Sequence, residues 1–178
     1  MTQSSRDRRR RDLLLGEWAC LGVLYQGPTH GFAVASALRP GGELGRVWSL
    51  SRALTYRSLD QLVERRLVHS VGEEPGIAGG NRTVLAATRS GRAALRGWVS
   101  TPVEHLRDLR SELLLKLVVA QRCDIDVREM LHRQREIVAD LAAAVGADAV
   151  DGDVDVVVLW RRENSEAALR FLDHLLRA

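Results

Sequence analysis

The sequence predicts a mainly α-helical fold with one short β-hairpin in its first half. Apolar residues recur at helical spacing through most of the chain, which indicates amphipathic helices. Two short segments, "LVHSV" and "RTVLAAT", flank the Gly-rich stretch "PGIAGGN", which indicates a hairpin. Breaks such as "QGP" and "RPGG" separate one helical segment from the next.

The composition is typical of a folded protein. With 178 residues, 46% of them hydrophobic and 28% charged, the chain can bury the core of one large domain or two small ones. Cys20 and Cys123 are far apart in apolar runs, so we expect buried, reduced thiols. No apolar run is long enough to span a membrane, and we expect a cytoplasmic protein.

Charge is divided unevenly along the chain. Residues 1–100 contain 15 Arg against 8 Asp or Glu, a net charge of +7. Residues 101–178 contain 11 Arg or Lys against 15 Asp or Glu, a net charge of −4. A basic half suits a polyanion and an acidic half suits protein contacts, although chance on a solvated surface is the alternative. Residues 1–12, polar and basic without periodicity, are expected to form a flexible arm.

Residues 13–100 predict three helices, a hairpin and a fourth helix, in that order. The first helix ends at "QGP", and the second, with Thr29 as its N-cap, ends at "RPGG". Ser51 is the predicted N-cap of the third helix and Thr88 that of the fourth. This is the order of a winged helix-turn-helix domain with three helices and a two-stranded wing.

The second and third helices each have a predicted apolar face. On the second helix the face comprises Phe32, Val34, Ala35 and Leu38. On the third it comprises Leu54, Leu59, Leu62, Val63 and Leu67. The third helix begins with polar side chains that are costly to bury, namely Arg52, Thr55, Tyr56 and Arg57.

Residues 101–178 predict three further amphipathic helices, the last two separated by the acidic break "GADAVDGDVD". Their wide apolar faces need something to pack against, and a second copy of the chain is the simplest supply. The sequence therefore predicts an α-helical dimerisation domain over 101–178.

Four segments carry a family resemblance. They are "LGVLYQGPTHGFAVASAL", "WSLSRALTYRSLDQLVERRLV", "GGNRTVLAATRSGRAALRGWV" and "LRSELLLKLVVA". In this order and spacing the sequence resembles the PadR-like transcriptional regulators over nearly its whole length. The resemblance implies a dimeric, DNA-binding repressor with an N-terminal winged helix and a helical dimerisation part, commonly released by a small effector.

The sequence departs from the family pattern at two places. The family usually has Gly directly after the recognition helix, where this chain has Arg66, so either the helix ends differently or Arg66 adds a basic contact. The family also often reads Thr-Leu-Tyr where this chain has Leu54-Thr55-Tyr56, which leaves open the side chain that faces the groove.

The start of the third helix supplies the main candidate DNA contacts. The beginning of a recognition helix meets base edges in the major groove, and its amide groups favour phosphate. We predict contacts of Arg52 and Arg57 with guanine edges or phosphate, and of Thr55 with phosphate or a thymine methyl group. Ser51 and Tyr56 are assigned to the same set, Tyr56 as a phosphate contact. An ordinary solvated helix face with Tyr56 half-buried is the alternative.

The wing and the second helix supply further candidates. Asn81 and Arg82, at the Gly-rich tip, are predicted to reach the minor groove or the DNA backbone. A plain exposed turn is the alternative for them. Thr29 and His30 are predicted phosphate contacts at the start of the second helix, with His30 holding the turn to the core as the alternative.

Trp98 and Trp160 are candidates for stacking on a small aromatic effector at a dimer seam, with core packing as the alternative. The five His and two Cys have no metal-ligand spacing, and no phosphate loop or activated nucleophile is recognisable. We therefore predict no metal, no cofactor and no catalysis.

The leading prediction is a dimeric repressor of double-stranded DNA that binds an inverted repeat with half-sites about one helical turn apart. One alternative is a protein-interaction module that uses the winged helix and the helical tail to bind an acidic protein. Another is a sensor in which binding of a small molecule is the primary activity.

Overall fold

A computed structural model describes residues 13–76, 80–147 and 155–177. The arm expected at 1–12 lies outside the described residues, as do the wing tip at 77–79 and most of the acidic break. The described helices are α1 (Leu15–Leu24), α2 (Gly31–Leu38), α3 (Arg52–Glu64), α4 (Arg89–Val99), α5 (Leu106–Asp108), α6 (Leu114–Cys123), α7 (Arg128–Ala147) and α8 (Val156–Arg177). The described strands are β1 (Thr29–His30), β2 (Val68–Pro75) and β3 (Asn81–Ala87).

The sheet has three strands, where the sequence predicted two. β1 pairs antiparallel with β3 through Thr29–Leu85 and His30–Val84, and β2 pairs with the other side of β3. A strand of two residues has no alternation to detect, which is why the sequence pattern missed it. Because β1 runs directly into α2, the start of that helix is tied to the wing.

A first core joins the N-terminal helices and the sheet to α6. Leu21, Leu24, Leu38, Leu62 and Leu95 are fully buried or nearly so and belong to it. The contributions of α6 are Leu115, Val119, Ala120 and Cys123. The predicted domain boundary at residue 100 therefore does not coincide with a break in the packing.

A second core lies among α7, α8 and the segment before α6. It is built from Val103, Leu113, Met130, Val138 and Leu172, with further apolar residues packed against it. A π-helical turn at Leu109–Leu113 connects α5 to α6 without a break and carries Leu113 into this core.

The segment between α4 and α5 is held at three points by α6 and α7. The Lys116 ammonium donates to the Thr101 carbonyl at 2.7 Å. The fully buried Gln134 side chain accepts from the Val103 N–H at 2.7 Å and donates to the Val103 carbonyl at 2.9 Å. Arg133 donates to the Ser100 carbonyl at 2.9 Å. These bonds fix the position of the winged helix relative to the C-terminal helices.

The inner side of α3 is narrower than the predicted side. Thr55, Leu59 and Leu62 are buried, at the four- and three-residue spacing of one helix face. Leu54 and Val63, predicted to be inside, are 49% and 42% exposed, because each flanks that face. Leu59 and Leu62 are thus inside as predicted, whereas the predicted face was too wide and did not include Thr55.

Both cysteines are free and buried. Burial raises the pKa of Cys20 to about 12, with a smaller contribution from the Glu17 carboxylate. Burial likewise raises the pKa of Cys123 to about 11. Both groups therefore stay protonated near neutral pH and are poor nucleophiles.

Arg66 ends α3 in the left-handed conformation, with φ of 58°. Its N–H donates to the Val63 carbonyl at 2.9 Å, and the Leu67 N–H donates to the Leu62 carbonyl at 2.9 Å. This pair of bonds is the usual helix ending at which glycine is favoured. The helix therefore ends as it would with glycine, although the residue is arginine.

We expect Arg66→Gly to raise the free energy of unfolding by about 1 kcal/mol, because a residue with a Cβ loses roughly that much in the left-handed conformation. Urea unfolding followed by circular dichroism measures the change. Arg66→Ala removes the same side chain without relieving the backbone and should give no gain. Equal gains in the two variants would show that the side chain, not the backbone, is responsible.

Candidate functional site

The first turn of α3 is built by its N-cap. The Ser51 hydroxyl accepts a hydrogen bond from the Leu54 N–H at 3.2 Å, which confirms Ser51 as the predicted cap. Arg52 is the first helical residue and is exposed, as is Arg57. No carboxylate of the described residues lies within ion-pair distance of either guanidinium group. The start of α3 therefore presents two uncompensated positive charges to solvent.

Four side chains form a continuous row across α3, α2 and the wing, which we call the aromatic–cation row. The Arg52 guanidinium lies 5.7 Å from the Tyr56 ring centroid and 5.6 Å from that of Phe32. On the other side, the Arg82 guanidinium lies 5.7 Å from the Phe32 centroid. These distances are within the range of cation–π attraction. The row brings an arginine of α3 and an arginine of β3 next to the same aromatic ring.

An open groove of about 520 Å³ lies between α3 and β3. Five of the nine residues predicted to contact DNA line it, namely His30, Arg52, Tyr56, Asn81 and Arg82. Phe32 also lines it, although the sequence analysis assigned Phe32 to the apolar face of α2. That assignment was wrong: the side chain is 51% exposed. The fold thus brings together, on one surface, residues of three elements that the sequence analysis considered separately.

Tyr56 packs closely against the start of α2. A Cβ at Gly31 would lie 2.8 Å from Tyr56 Cε1, so the ring occupies the space that any larger residue at Gly31 would need. Tyr56 remains 38% exposed. Tyr56 is therefore half-buried, as the alternative interpretation expected, while its contact with phosphate stays a prediction.

Thr55 was predicted to contact DNA, and the structure contradicts this. The residue is fully buried, and its hydroxyl donates to the Ser51 carbonyl at 3.0 Å. A threonine hydroxyl can bond to the carbonyl one turn earlier and so be buried at little cost. Every polar residue at the start of the helix was assumed to point outward. This hydrogen bond shows that the assumption does not hold for Thr55.

Thr29 and His30 have structural roles at the start of α2 that differ from the predicted ones. His30, not Thr29, caps α2: its Nδ1 accepts from the Ala33 N–H at 3.0 Å. In the neutral ring this leaves the hydrogen on Nε2, which lies 3.4 Å from the Glu74 carboxylate of the wing. His30 therefore caps α2 and lies beside a carboxylate of the wing, whereas the alternative given for it was a contact with the core, and Thr29 is part of β1.

Acidic side chains on the wing, which the sequence analysis did not single out, restrict its polar groups. The Asn81 amide donates to the Glu73 carboxylate at 2.8 Å. Glu74 stands opposite Arg82 in the β2–β3 ladder. Such carboxylates repel phosphate, so they limit how closely a polyanion can approach this part of the wing. These contacts were missed at the level of sequence because cross-strand neighbours can be identified only when the register of the hairpin is known.

The two tryptophans proposed as ligand contacts lie in different surroundings. The Trp98 ring stacks on Trp18, with centroids 5.0 Å apart and planes at 7°, and its Nε1 donates to Glu112 at 3.2 Å. The Lys116 ammonium lies 5.3 Å from the Trp98 ring centroid. Trp160 lies on α8 and is 67% exposed. It is not among the residues that line the open recess of about 390 Å³ beside Trp98.

No helix within the described ranges combines the length and apolar character needed to cross a membrane. Within the same ranges, no three His, Cys, Asp or Glu side chains are grouped so as to hold a metal ion.

Comparison with known proteins gave matches only among solved structures. No family model matches the chain. No curated protein matches it. The chain is similar to Bacillus subtilis PadR in complex with operator DNA, at 17% identity over 90% of this chain and 97% of that chain, with a TM-score of 0.46.

Two further structures show similarity of the same order. Bacillus subtilis PadR in a second crystal structure is 16% identical over 91% of this chain and 93% of that chain, with a TM-score of 0.42. The protein smu.1604c from Streptococcus mutans UA159 is 13% identical over 92% of this chain and 99% of that chain, with a TM-score of 0.44. PadR structures are thus among those to which the chain is similar, at a distance too great for comparison residue by residue.

Proposed function

We propose that this chain, whose sequence resembles the PadR-like regulators, is a sequence-specific DNA-binding transcriptional regulator. In this proposal it binds as a homodimer and represses until a small effector releases it. The observation that carries the proposal is the groove between α3 and β3, where the exposed Arg52 of α3 and the partly buried Arg82 of β3 line one surface.

The contacts follow from the geometry of duplex DNA. The major groove is about 12 Å wide and accepts one helix, so α3 enters it with its N-terminal residues first. Arg52 and Arg57 then reach guanine edges or phosphates, and the Tyr56 hydroxyl reaches a phosphate. Arg82, held by Phe32 on the wing side, contacts the backbone beyond the groove.

The direct test is selection of bound duplexes from a random pool, followed by titration of the selected site at several salt concentrations. A regulator of this kind enriches an inverted repeat and loses affinity steeply with salt, because each neutralised phosphate releases counterions. Binding without sequence preference or salt dependence contradicts the proposal. Retention of an acidic protein with no duplex binding favours the interaction-module alternative.

We assign dimerisation to an exposed apolar patch on α8. Val156, Val157 and Trp160 are 73%, 49% and 67% exposed and lie within little more than one turn of each other, while Leu172 on the same helix is buried against the second core. An exposed cluster of large apolar side chains marks an interaction surface. A second copy of the chain covers it in the proposed dimer.

We expect Trp160→Glu to convert the dimer to a monomer at micromolar concentration, because the new charge would be buried in the apolar seam. Sedimentation velocity measures the change. Arg161→Glu, at the next and also exposed position, introduces the same charge beside the patch and should leave the dimer intact. A Trp160→Glu variant that stays dimeric would place the dimer contact elsewhere.

Release by an effector is assigned to the recess beside Trp98. Its walls include Trp18, Trp98, Glu112 and Lys116, and its volume suits a small aromatic molecule. Trp98 is already stacked and hydrogen-bonded, so an effector would enter beside the ring instead of stacking freely on it. Trp160 takes no part in this proposal, because its exposed ring is assigned to the dimer seam.

The bonds that fix the segment between α4 and α5 give a route for release. Lys116 lines the recess and also holds the Thr101 carbonyl. An effector that displaces this contact would change the tilt of the winged helix relative to its partner, and so the spacing of the two recognition helices. Release then follows from a shift between two states that bind the effector with different affinities.

A further inference from the structure

Phe32 is an aromatic residue whose side chain is exposed instead of packed in the core. It is the second residue of α2, and its side chain is 51% exposed although the neighbouring Gly31 and Val34 are buried. The ring lies on the border of two surface hollows, the groove between α3 and β3 and an open depression along α2. It therefore forms a ridge between them.

The surroundings of the ring are charged, not apolar. Arg52 lies 5.6 Å from the ring centroid and Arg82 lies 5.7 Å from it, so cations from two different elements approach the same ring. Cation–π contacts hold the two arginines while leaving part of the ring in water. A partner that covers this ridge must accept two cations beside an apolar ring, and it must tolerate the Glu74 carboxylate, which stands opposite Arg82 in the β2–β3 ladder.

The sugar–phosphate backbone of DNA has that chemistry. Its phosphates, negatively charged, alternate with deoxyribose rings whose carbon atoms are apolar. In a helix-turn-helix complex the helix before the recognition helix crosses the backbone, and Phe32 lies at the start of that helix. The row of Arg52, Phe32 and Arg82 thus matches a phosphate, a sugar and a phosphate along one strand.

We propose that Phe32 is a DNA-contacting residue that packs on a deoxyribose of the backbone, between the phosphates neutralised by Arg52 and Arg82. The proposal rests on the proposed function, since it needs a bound duplex. It adds a contact of a different kind, because an apolar ring on a sugar fixes the position of the protein without reading a base.

The test compares Phe32→Ala with Val71→Ala in the full-length chain. Val71 is a matched control because it is apolar, 48% exposed and on the wing, and it does not line the groove. Affinity is measured by fluorescence anisotropy on the selected site and on an unrelated duplex. Hydroxyl-radical footprinting then reports which deoxyribose rings each variant protects, and thermal unfolding shows that each variant is folded.

We expect Phe32→Ala to weaken binding to both duplexes by a similar factor, about tenfold, as for a contact that positions without specifying. Protection should be lost at one or two sugars in each half-site while the rest of the footprint remains. Val71→Ala should bind like the wild type. A Phe32→Ala footprint identical to that of the wild type overturns the proposal even if affinity falls, because the ring would then act only through the arginines.

The outcomes separate this proposal from the function on which it rests. If the wild type binds duplexes without sequence preference, the proposed regulator fails, while a lower affinity of Phe32→Ala than of Val71→Ala for the unrelated duplex still supports the backbone contact. If the wild type binds no duplex, both fail. If Phe32→Ala keeps the wild-type affinity and footprint on the selected site, only the role of Phe32 fails.

Discussion

A variant carrying both Arg52→Ala and Arg57→Ala should lose about 100-fold or more in affinity for the selected duplex, since each arginine at a base edge or phosphate contributes roughly 1–3 kcal/mol. Both side chains are exposed at the start of α3 and have no ion-pair partner among the described residues. The slope of log affinity against log salt should also fall by about 2 in magnitude if both arginines contact phosphate.

The matched control is the double variant Arg107→Ala and Arg110→Ala. These two arginines are also exposed, and their removal changes the net charge by the same amount, but they lie in α5 and the following π-helical turn. Sedimentation shows whether each double variant keeps its oligomeric state. Equal losses of affinity in the two double variants would mean that total charge, not the start of α3, governs binding.

Replacing Glu112 by Gln should lower the free energy of unfolding by about 3–5 kcal/mol, the usual cost of leaving a buried charge without its partner. Lys116, the only lysine of the chain, has a side chain that is 2% exposed, and its ammonium lies 2.8 Å from the Glu112 carboxylate. The same carboxylate accepts the Trp98 Nε1–H at 3.2 Å. Glutamine can still accept these bonds, but it cannot neutralise the cation.

The reverse replacement should cost less. Lys116→Met leaves a Glu112 carboxylate that is 31% exposed, so water can solvate the remaining charge. The double variant Lys116→Met and Glu112→Gln should be more stable than Glu112→Gln alone, because no unpaired charge is then buried. Urea unfolding of the four proteins completes the cycle. If Glu112→Gln proved no less stable than Lys116→Met, desolvation of the lysine would not be what the pair compensates.

Sequence periodicity and end signals predicted the helical elements of the N-terminal half but not every residue on their inner faces. Ser51 and Thr88 are caps, as expected, since each hydroxyl accepts an N–H three residues later. In α3 the predicted inner residues Leu59 and Leu62 are buried, but Leu54 is exposed and Thr55 is buried. The pattern counted apolar residues only, so it could not show that the Ser51 carbonyl accepts the Thr55 hydroxyl. Packing against α1 and α2 decides which residues at the edges of the face are covered, and packing is not local.

The parts of the site that sequence reasoning missed depend on contacts between distant segments. Phe32 was assigned to a core because large apolar residues are most often buried, whereas β1 turns the start of α2 outward next to the wing. The pairing of Glu74 with Arg82 depends on the register of the hairpin, which has a bulge between Ser70 and Gly72. A bulge adds one residue to one strand and cannot be located by counting alternation.

Because α6 contributes to the first core, the position at which the chain can be cut into folded fragments is restricted. A Cβ at Gly22 of α1 would lie 3.0 Å from Val119 Cγ2 of α6, so the Val119 side chain fills the space that a larger residue at Gly22 would need. A fragment that stops at residue 100 would expose this face of α1 and should be insoluble or unfolded when expressed alone. Chimeras built from this chain should therefore be joined after Val127, the last apolar residue that packs against the shared core.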